Sequence, residues 1–293
     1  MHLSSLFALN SVGSDELSMP KSIKVYGNHA KFEPRAVLRD FHQGLKHRAL
    51  FVEFATIEIQ DRYRRSVLGL SWIVLSFLMF VAAIALFFGN FAQMPSVDFI
   101  LYVALGYAGY QYIVGNITDG CEVFRTSAVW IKSTPLPYSV HVYIKIVRSV
   151  FPFVLHLIAA LVVMAFMGWR PSWTALYVIP ALAVFLLVSP AIQMFFGLVA
   201  TRWSDISHLM TAVTRMLFFL TPVIWVYDEQ SGLRYYVATF NPLTHFLEVF
   251  RAPLLGQPFA TESWLYVLCS TALIWFAAVM AGAFMRRRIP FWL

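Results

Sequence analysis

An all-α integral membrane fold with six transmembrane helices is predicted from three observations. The chain is 59% hydrophobic and only 13% charged over 293 residues. Its apolar residues gather into six runs of membrane-spanning length, and its basic residues fall between those runs on alternate sides. A bilayer core roughly 30 Å thick takes about 20 apolar residues per helix. Only a structure that satisfies every backbone N–H and C=O internally can cross it, so each run is read as a helix.

Taken in order, residues 1–45 are a polar cytoplasmic N-terminal extension. No charged start followed by an apolar stretch and a small-residue cleavage site is found there, so no signal peptide is expected. A single transmembrane domain is expected over 46–293. It opens with KHRALFVEFATIEIQDRYRR (46–65), in which Leu50, Phe54 and Ile57 recur at helical spacing while Glu53 and Gln60 mark a polar side. Such an amphipathic helix either lies flat on the inner leaflet or packs partly against protein. The Arg62, Arg64 and Arg65 cluster that follows is placed at the head groups.

The spans are expected at about 71–90, 99–118, 147–167, 174–200, 211–226 and 263–284. The fourth is the longest and contains Pro180 and Pro190. It is read as one bent or tilted helix or as two shorter ones. The connection 119–144 carries CEVFRTSAVWIKS, stopped by Pro135 and Pro137. This is either a short helix shaped to dock a partner or an interfacial turn. Between the last two spans, YYVATFNPLTHFLEVFRAPLLG (235–256) is too apolar for a free loop and too short for two crossings. A re-entrant hairpin acting as an external gate fits it best.

Orientation follows from the basic residues, which concentrate in cytoplasmic segments. With both termini inside, 19 of the 22 Lys and Arg fall on the inner side; Arg170, Arg234 and Arg251 are the exceptions. The net charge of +7 then reflects topology and contact with acidic membrane lipids, with no need of nucleic acid.

Catalytic chemistry is not expected in this chain. No Gly is followed by Lys, so the phosphate-cradling P-loop is missing. The eight histidines are scattered, and Cys121 and Cys269 suit neither a disulfide framework nor a zinc site, so no metal is expected. The spans are nearly free of ionisable groups, with Arg215 near the inner end of the fifth. Ion-coupled transporters need carboxylates or histidines at membrane depth, so energy for transport would come from a partner. What the spans offer is aromatic surface, including four tyrosines in eleven residues. Sugar rings stack on such faces while their hydroxyls bond polar tips. Phe80, Tyr102, Tyr107 and Tyr110 are the candidate channel-lining residues.

The run RYRRSVLGLSWIVLSF (62–77) resembles the start of the first span in ABC-2 permeases of ABC exporters for lipid-linked polysaccharides, both Wzm-like for O-antigen and TagG-like for teichoic acid. WIKSTPLPYSV (130–140), TRWSDISHL (201–209), FFLTPVIW (218–225) and FNPLTHFLEVFRAPLL (240–255) continue the resemblance in order. It implies two copies of this chain, two separate ATPase subunits that hold ATP and Mg, and a polyprenyl-pyrophosphate-linked glycan crossing the bacterial cytoplasmic membrane. On the same resemblance, Glu122–Ser133 is the coupling helix, with Glu122, Arg125, Trp130 and Lys132 meeting the ATPase. Arg62, Arg64, Arg65 and Trp72 mark substrate access, although membrane topology alone would also place the arginines there. Asn241, Pro242, Glu248 and Arg251 belong to the external gate. The first 45 residues have no counterpart in the family, and Ser133 and Thr134 stand where it is often more basic. The competing expectations are an ABC-2 exporter of a small hydrophobic drug or lipid, a membrane-embedded transferase, and a non-transporting assembly subunit.

Overall fold

The computed structural model describes residues 32–64, 66–89, 95–170, 172–227 and 232–293, and these are helical with short connections. Five segments are long and apolar enough to cross a membrane: Ser71–Phe88, Ser96–Thr126, Tyr138–Phe166, Trp173–Arg202 and Thr261–Trp292. The protein is a multi-pass membrane protein.

Helix α1 (Pro34–Lys46) starts with proline in its first turn, where a missing N–H costs nothing. It buries Val37, Phe41 and Gly44 along one face. Its Asp40 carboxylate accepts from the backbone N–H of Ser139 at 2.9 Å and of Tyr138 at 3.3 Å, and the Ser139 hydroxyl donates to the Asp40 carbonyl at 2.7 Å. Arg286 donates to the Ala36 carbonyl at 2.8 Å. Close approach requires Gly44, because a Cβ there would lie 2.2 Å from Ser139 Oγ. The compact unit therefore begins at Phe32, and the expected boundary at 45/46 falls inside it. Residues 1–31 lie outside the described residues.

After a bend at His47, α2 (Arg48–Tyr63) buries Phe51, Ala55 and Ile59. These pack with Val140 and Ile144 of α6 (Tyr138–Phe166). The expected apolar stripe was one residue out of phase: Leu50 and Phe54 are at its edge, and Ile57 is exposed. A single neighbouring helix covers only a narrow strip of α2, so hydrophobicity alone did not choose the buried face.

Helix α3 (Ser71–Phe88) matches its expected span closely, while α4 (Ser96–Thr126) and α6 extend well beyond theirs. Hydropathy marks where side chains become polar, but helical hydrogen bonding continues past that point. The fourth segment is one helix, α7 (Val178–Arg202), entered through a 3₁₀ turn at Trp173–Tyr177 and tolerating Pro190 within it. Pro180 lies in its first turn, where backbone donors have no intrahelical partner.

The expected fifth span, 211–226, differs most. Helix α8 runs Asp205–Leu220, and its 16 residues rise only about 24 Å. It stops because Thr221 precedes Pro222, which disfavours helical geometry, and Thr221 is extended at φ −95°, ψ 137°. Thr221 and Val223 then continue the chain as a fully buried non-helical segment.

Two short helices follow, α9 (Leu233–Phe240) and α10 (Pro242–Leu254), then α11 (Thr261–Met285), which leads through Arg286–Arg288 to α12 (Ile289–Trp292). Helix α4 is the central element, with neighbours on α3, α6, α7, α8 and α10. Gly120 and Gly197 allow α4 and α7 to touch: a Cβ on Gly197 would lie 2.5 Å from Val123 Cγ1, and one on Gly120 would lie 2.9 Å from Gln193 Cα.

Candidate translocation groove and gate

Helical geometry sorts the tyrosines of α4. Tyr107, Tyr110, Gln111 and Val114 are three, four and seven residues apart and share a face. Five residues turn a helix by about 140° from the starting face, so Tyr102 and Tyr112 point elsewhere. The structure follows this division. Phe80 of α3 stacks on Tyr107 with ring centroids 3.9 Å apart, and Phe218 of α8 meets Tyr107 and Tyr110 edge-on. Together with Gln111, Val114, Thr214 and Arg215 they line an open groove of about 250 Å³. The Tyr110 hydroxyl donates to the Thr214 carbonyl, tying α8 to α4 beside the groove. The Gln111 amide donates to the Tyr107 hydroxyl. Phe80, Tyr107 and Tyr110 are thus brought together, joined by Gln111, which helical spacing from Tyr107 would have revealed, and by Phe218 of α8.

Tyr102 lies with the residues expected at the gate. Its hydroxyl donates to the carbonyls of Pro222 and Trp225 at 3.0 and 3.1 Å, and its ring faces the Arg251 guanidinium. Arg251 is 1% exposed; it donates to the Pro222 carbonyl at 2.7 Å and pairs with Glu248 at 3.2 Å. Arginine keeps its charge in such a setting because its guanidinium is not deprotonated in proteins. Asn241 caps α10, accepting from Leu243 N–H at 3.0 Å, and its amide donates to Thr221 Oγ1 at 2.8 Å. Pro242 supplies the first helical residue. All four expected gate residues therefore belong to the α9–α10 corner or to its contacts with the end of α8. Residues 228–231 of the same connection lie outside the described residues.

The expected coupling helix is two pieces. Glu122 and Arg125 form the last turn of α4, paired at 3.4 Å, and α5 (Ala128–Ser133) carries Trp130 and Lys132. The break falls at Ser127, which leaves helical geometry at φ −99°, ψ 9°, its backbone N–H closing the end of α4 on the Phe124 carbonyl. Trp130 is 49% exposed and meets Phe54 of α2 edge-on at 5.2 Å; Lys132 is exposed. Arg125 also reaches Ser207 of α8 at 3.4 Å. Arg62, Arg64 and Trp72 are exposed around the α2–α3 junction, where Gly69 takes φ +52°. Arg65 lies outside the described residues.

The sequence profile of ABC-2 type transporters matches residues 50–255, from α2 through α10. The chain belongs to this family. Two O-antigen export system permease proteins RfbA of Klebsiella pneumoniae are 22% and 21% identical to it over 195 residues, covering 66% of this chain and 75% of theirs. Nodulation protein J of Rhizobium leguminosarum bv. viciae is 26% identical over 129 residues, 44% of this chain and 49% of its own. Groove, gate and the α4–α5 break all fall inside the matched segment. As a membrane permease of ABC-2 type, the protein is a transporter subunit from a family that works with ABC ATPases.

Two polar networks of this permease escaped sequence reading. Glu58 of α2 pairs with Lys145 at 3.3 Å and Arg148 at 3.1 Å on α6, and Arg148 also pairs with Asp119 of α4 at 3.1 Å. Within the bundle, Gln193 donates to Asn116 at 2.7 Å, Asn116 donates to the Tyr112 carbonyl at 2.8 Å, and the Tyr112 hydroxyl bonds Ser189 at 2.8 Å. Polar side chains inside apolar runs commonly bond between helices, and that is the signal Asn116 and Gln193 carried.

Proposed function

We propose that this chain is the permease subunit of an ATP-driven exporter that moves a lipid-linked polysaccharide across the bacterial cytoplasmic membrane. It works as two copies with two ABC ATPase subunits, which hold ATP and Mg. The observation that carries this reading is the groove: stacked rings of Phe80 and Tyr107 with Phe218 at their edge, and polar tips from Tyr107 and Gln111. Flat rings beside hydrogen-bonding groups suit sugars. The O-antigen export role of the Klebsiella relatives supports the same class of cargo.

Six crossings with both termini inside are supported by α8. It starts beside the last turn of α4, where Arg125 reaches Ser207, and its non-helical extension ends at the gate, where Pro222 meets Arg251. Residues 221–223 carry the chain on beyond the 16-residue helix as a buried non-helical segment. In this topology α1, α2 and α5 face the ATPase subunits, and Glu122, Arg125, Trp130 and Lys132 transmit their motion. Arg62, Arg64, Arg65 and Trp72 receive the polyprenyl pyrophosphate, and the α9–α10 corner closes the outer end.

The test is deletion of the gene in its host. Surface glycan should disappear while lipid-linked glycan accumulates inside, and a plasmid copy carrying Phe80→Ala and Tyr107→Ala should restore display poorly. Normal surface glycan in the deletion strain overturns the proposal.

A further inference from the structure

Arg215 is the charged member of the groove lining. It sits ten residues into α8, about 15 Å from the start of the helix, and the apolar run Met216–Leu220 follows it. Among the described residues no carboxylate pairs with it. An ionised side chain at membrane depth is costly unless it finds a counter-charge or an aqueous cavity. The groove is also weighted toward donors. The Tyr107 hydroxyl accepts from Gln111, which leaves its own O–H to donate, and the guanidinium adds five more donors and no acceptor. The bond from Tyr110 to the Thr214 carbonyl holds the residue next to Arg215 against α4, so the backbone that carries the cation is fixed beside the groove.

We infer that Arg215 is the anion-selecting residue of the groove and binds an oxyanion, phosphate or carboxylate, borne by the translocating substrate. The inference rests on the export reading above and adds that the cargo is recognised through a negative charge as well as through its rings. A guanidinium suits this task because its planar fork bonds carboxylate or phosphate oxygens in pairs. The oxyanion has two possible sources, the diphosphate of a polyprenyl carrier and an acidic sugar within the chain.

Full-length protein in phosphatidylcholine nanodiscs is titrated with farnesyl diphosphate and trigalacturonate, and with the neutral counterparts farnesol and maltotriose. At least one anionic probe should bind the wild type. Arg215→Gln should weaken that binding about tenfold or more, while Arg215→Lys stays within about threefold, as expected for a charge-assisted contact. Binding of the neutral probes should not change. The anionic probe that responds identifies the source as carrier or sugar. Failure of both anionic probes to bind the wild type overturns the inference, as does equal binding to wild type and Arg215→Gln. A carboxylate of a second copy is the competing occupant: a shift of Arg215→Gln toward monomer with probe binding intact also overturns it. In cells, surface glycan lost on deletion but displayed normally by Arg215→Gln sinks this inference and leaves the export function standing. Normal glycan in the deletion strain sinks the export function instead.

Discussion

The Arg251 guanidinium lies 3.7 Å from the centroid of the Tyr102 ring, joining the α9–α10 corner to the central helix. The same guanidinium holds the Pro222 carbonyl and Glu248, so one buried cation ties α10, α4 and the end of α8 together. Arg251→Ala leaves Glu248 uncompensated and takes one of two donors from the buried Pro222 carbonyl, and should destabilise the protein by about 3–5 kcal/mol. Arg251→Lys keeps the charge but loses the fork and should fall between wild type and Ala. Thermal unfolding of the purified protein in detergent gives the order.

Tyr102→Phe keeps the ring under Arg251 and removes the hydroxyl that serves two carbonyls. A loss of about 1 kcal/mol is expected. The same unfolding measurement checks it, and a loss as large as that of Arg251→Ala would show that the hydroxyl contributes more than the cation.

Gly197→Ala should be far worse than Gly115→Ala. The first places a Cβ 2.5 Å from Val123 and 3.1 Å from the Gly120 carbonyl, whereas the second meets nothing within 4 Å. Overpacking should cost about 1–3 kcal/mol at Gly197, while alanine at Gly115 should be neutral or stabilising by up to about 1 kcal/mol. Melting temperatures of the two variants, compared side by side, test the close contact between α4 and α7.

Asp40→Ala removes the acceptor that serves the first N–H groups of α6, and a loss of about 1–2 kcal/mol is expected. Asp40→Asn retains a side-chain carbonyl and should lose less. Limited proteolysis near His47 reads the effect directly: faster cleavage in Asp40→Ala than in Asp40→Asn indicates that α1 has come away from α6 and α11.

Trp130→Ala should separate assembly from folding. The edge contact with Phe54 that is lost within the chain is worth about 0.5–1.5 kcal/mol. Co-purification with the ATPase subunit and coupled hydrolysis should fall together while the melting temperature changes little. Unchanged values for both would move the docking site away from α5.

Groove residues were legible because period and chemistry coincide in them: Tyr107 and Tyr110 sit three apart in an apolar run, and Phe80 falls in the adjacent span. Tyr102 faces away from the groove because it stands five residues from Tyr107, out of phase with that helix face. The ion network of Glu58, Lys145, Arg148 and Asp119 was hidden for another reason. Glu58, Lys145 and Asp119 lie beyond the apolar runs and Arg148 at the inner end of one, and only the packing of α2 and α4 against α6 brings them together. The α4–α5 break was equally hard to foresee, since it falls at Ser127 with neither glycine nor proline beside it.

Composition and apolar run length by themselves determined that the chain lives in a bilayer and where most of its lipid-immersed segments lie, because hydrocarbon admits only backbone that is hydrogen-bonded within its own segment. Tertiary structure alone decided that Tyr102 bonds to the end of α8 beside Arg251, that α1 belongs to the folded unit, and that the fifth apolar run is a short helix with a buried non-helical end. Those outcomes depend on partners distant in sequence, 120 residues for Tyr102 and Pro222 and 99 for Asp40 and Ser139. A buried donor or acceptor is held wherever the fold supplies its counterpart, and no local pattern specifies that position.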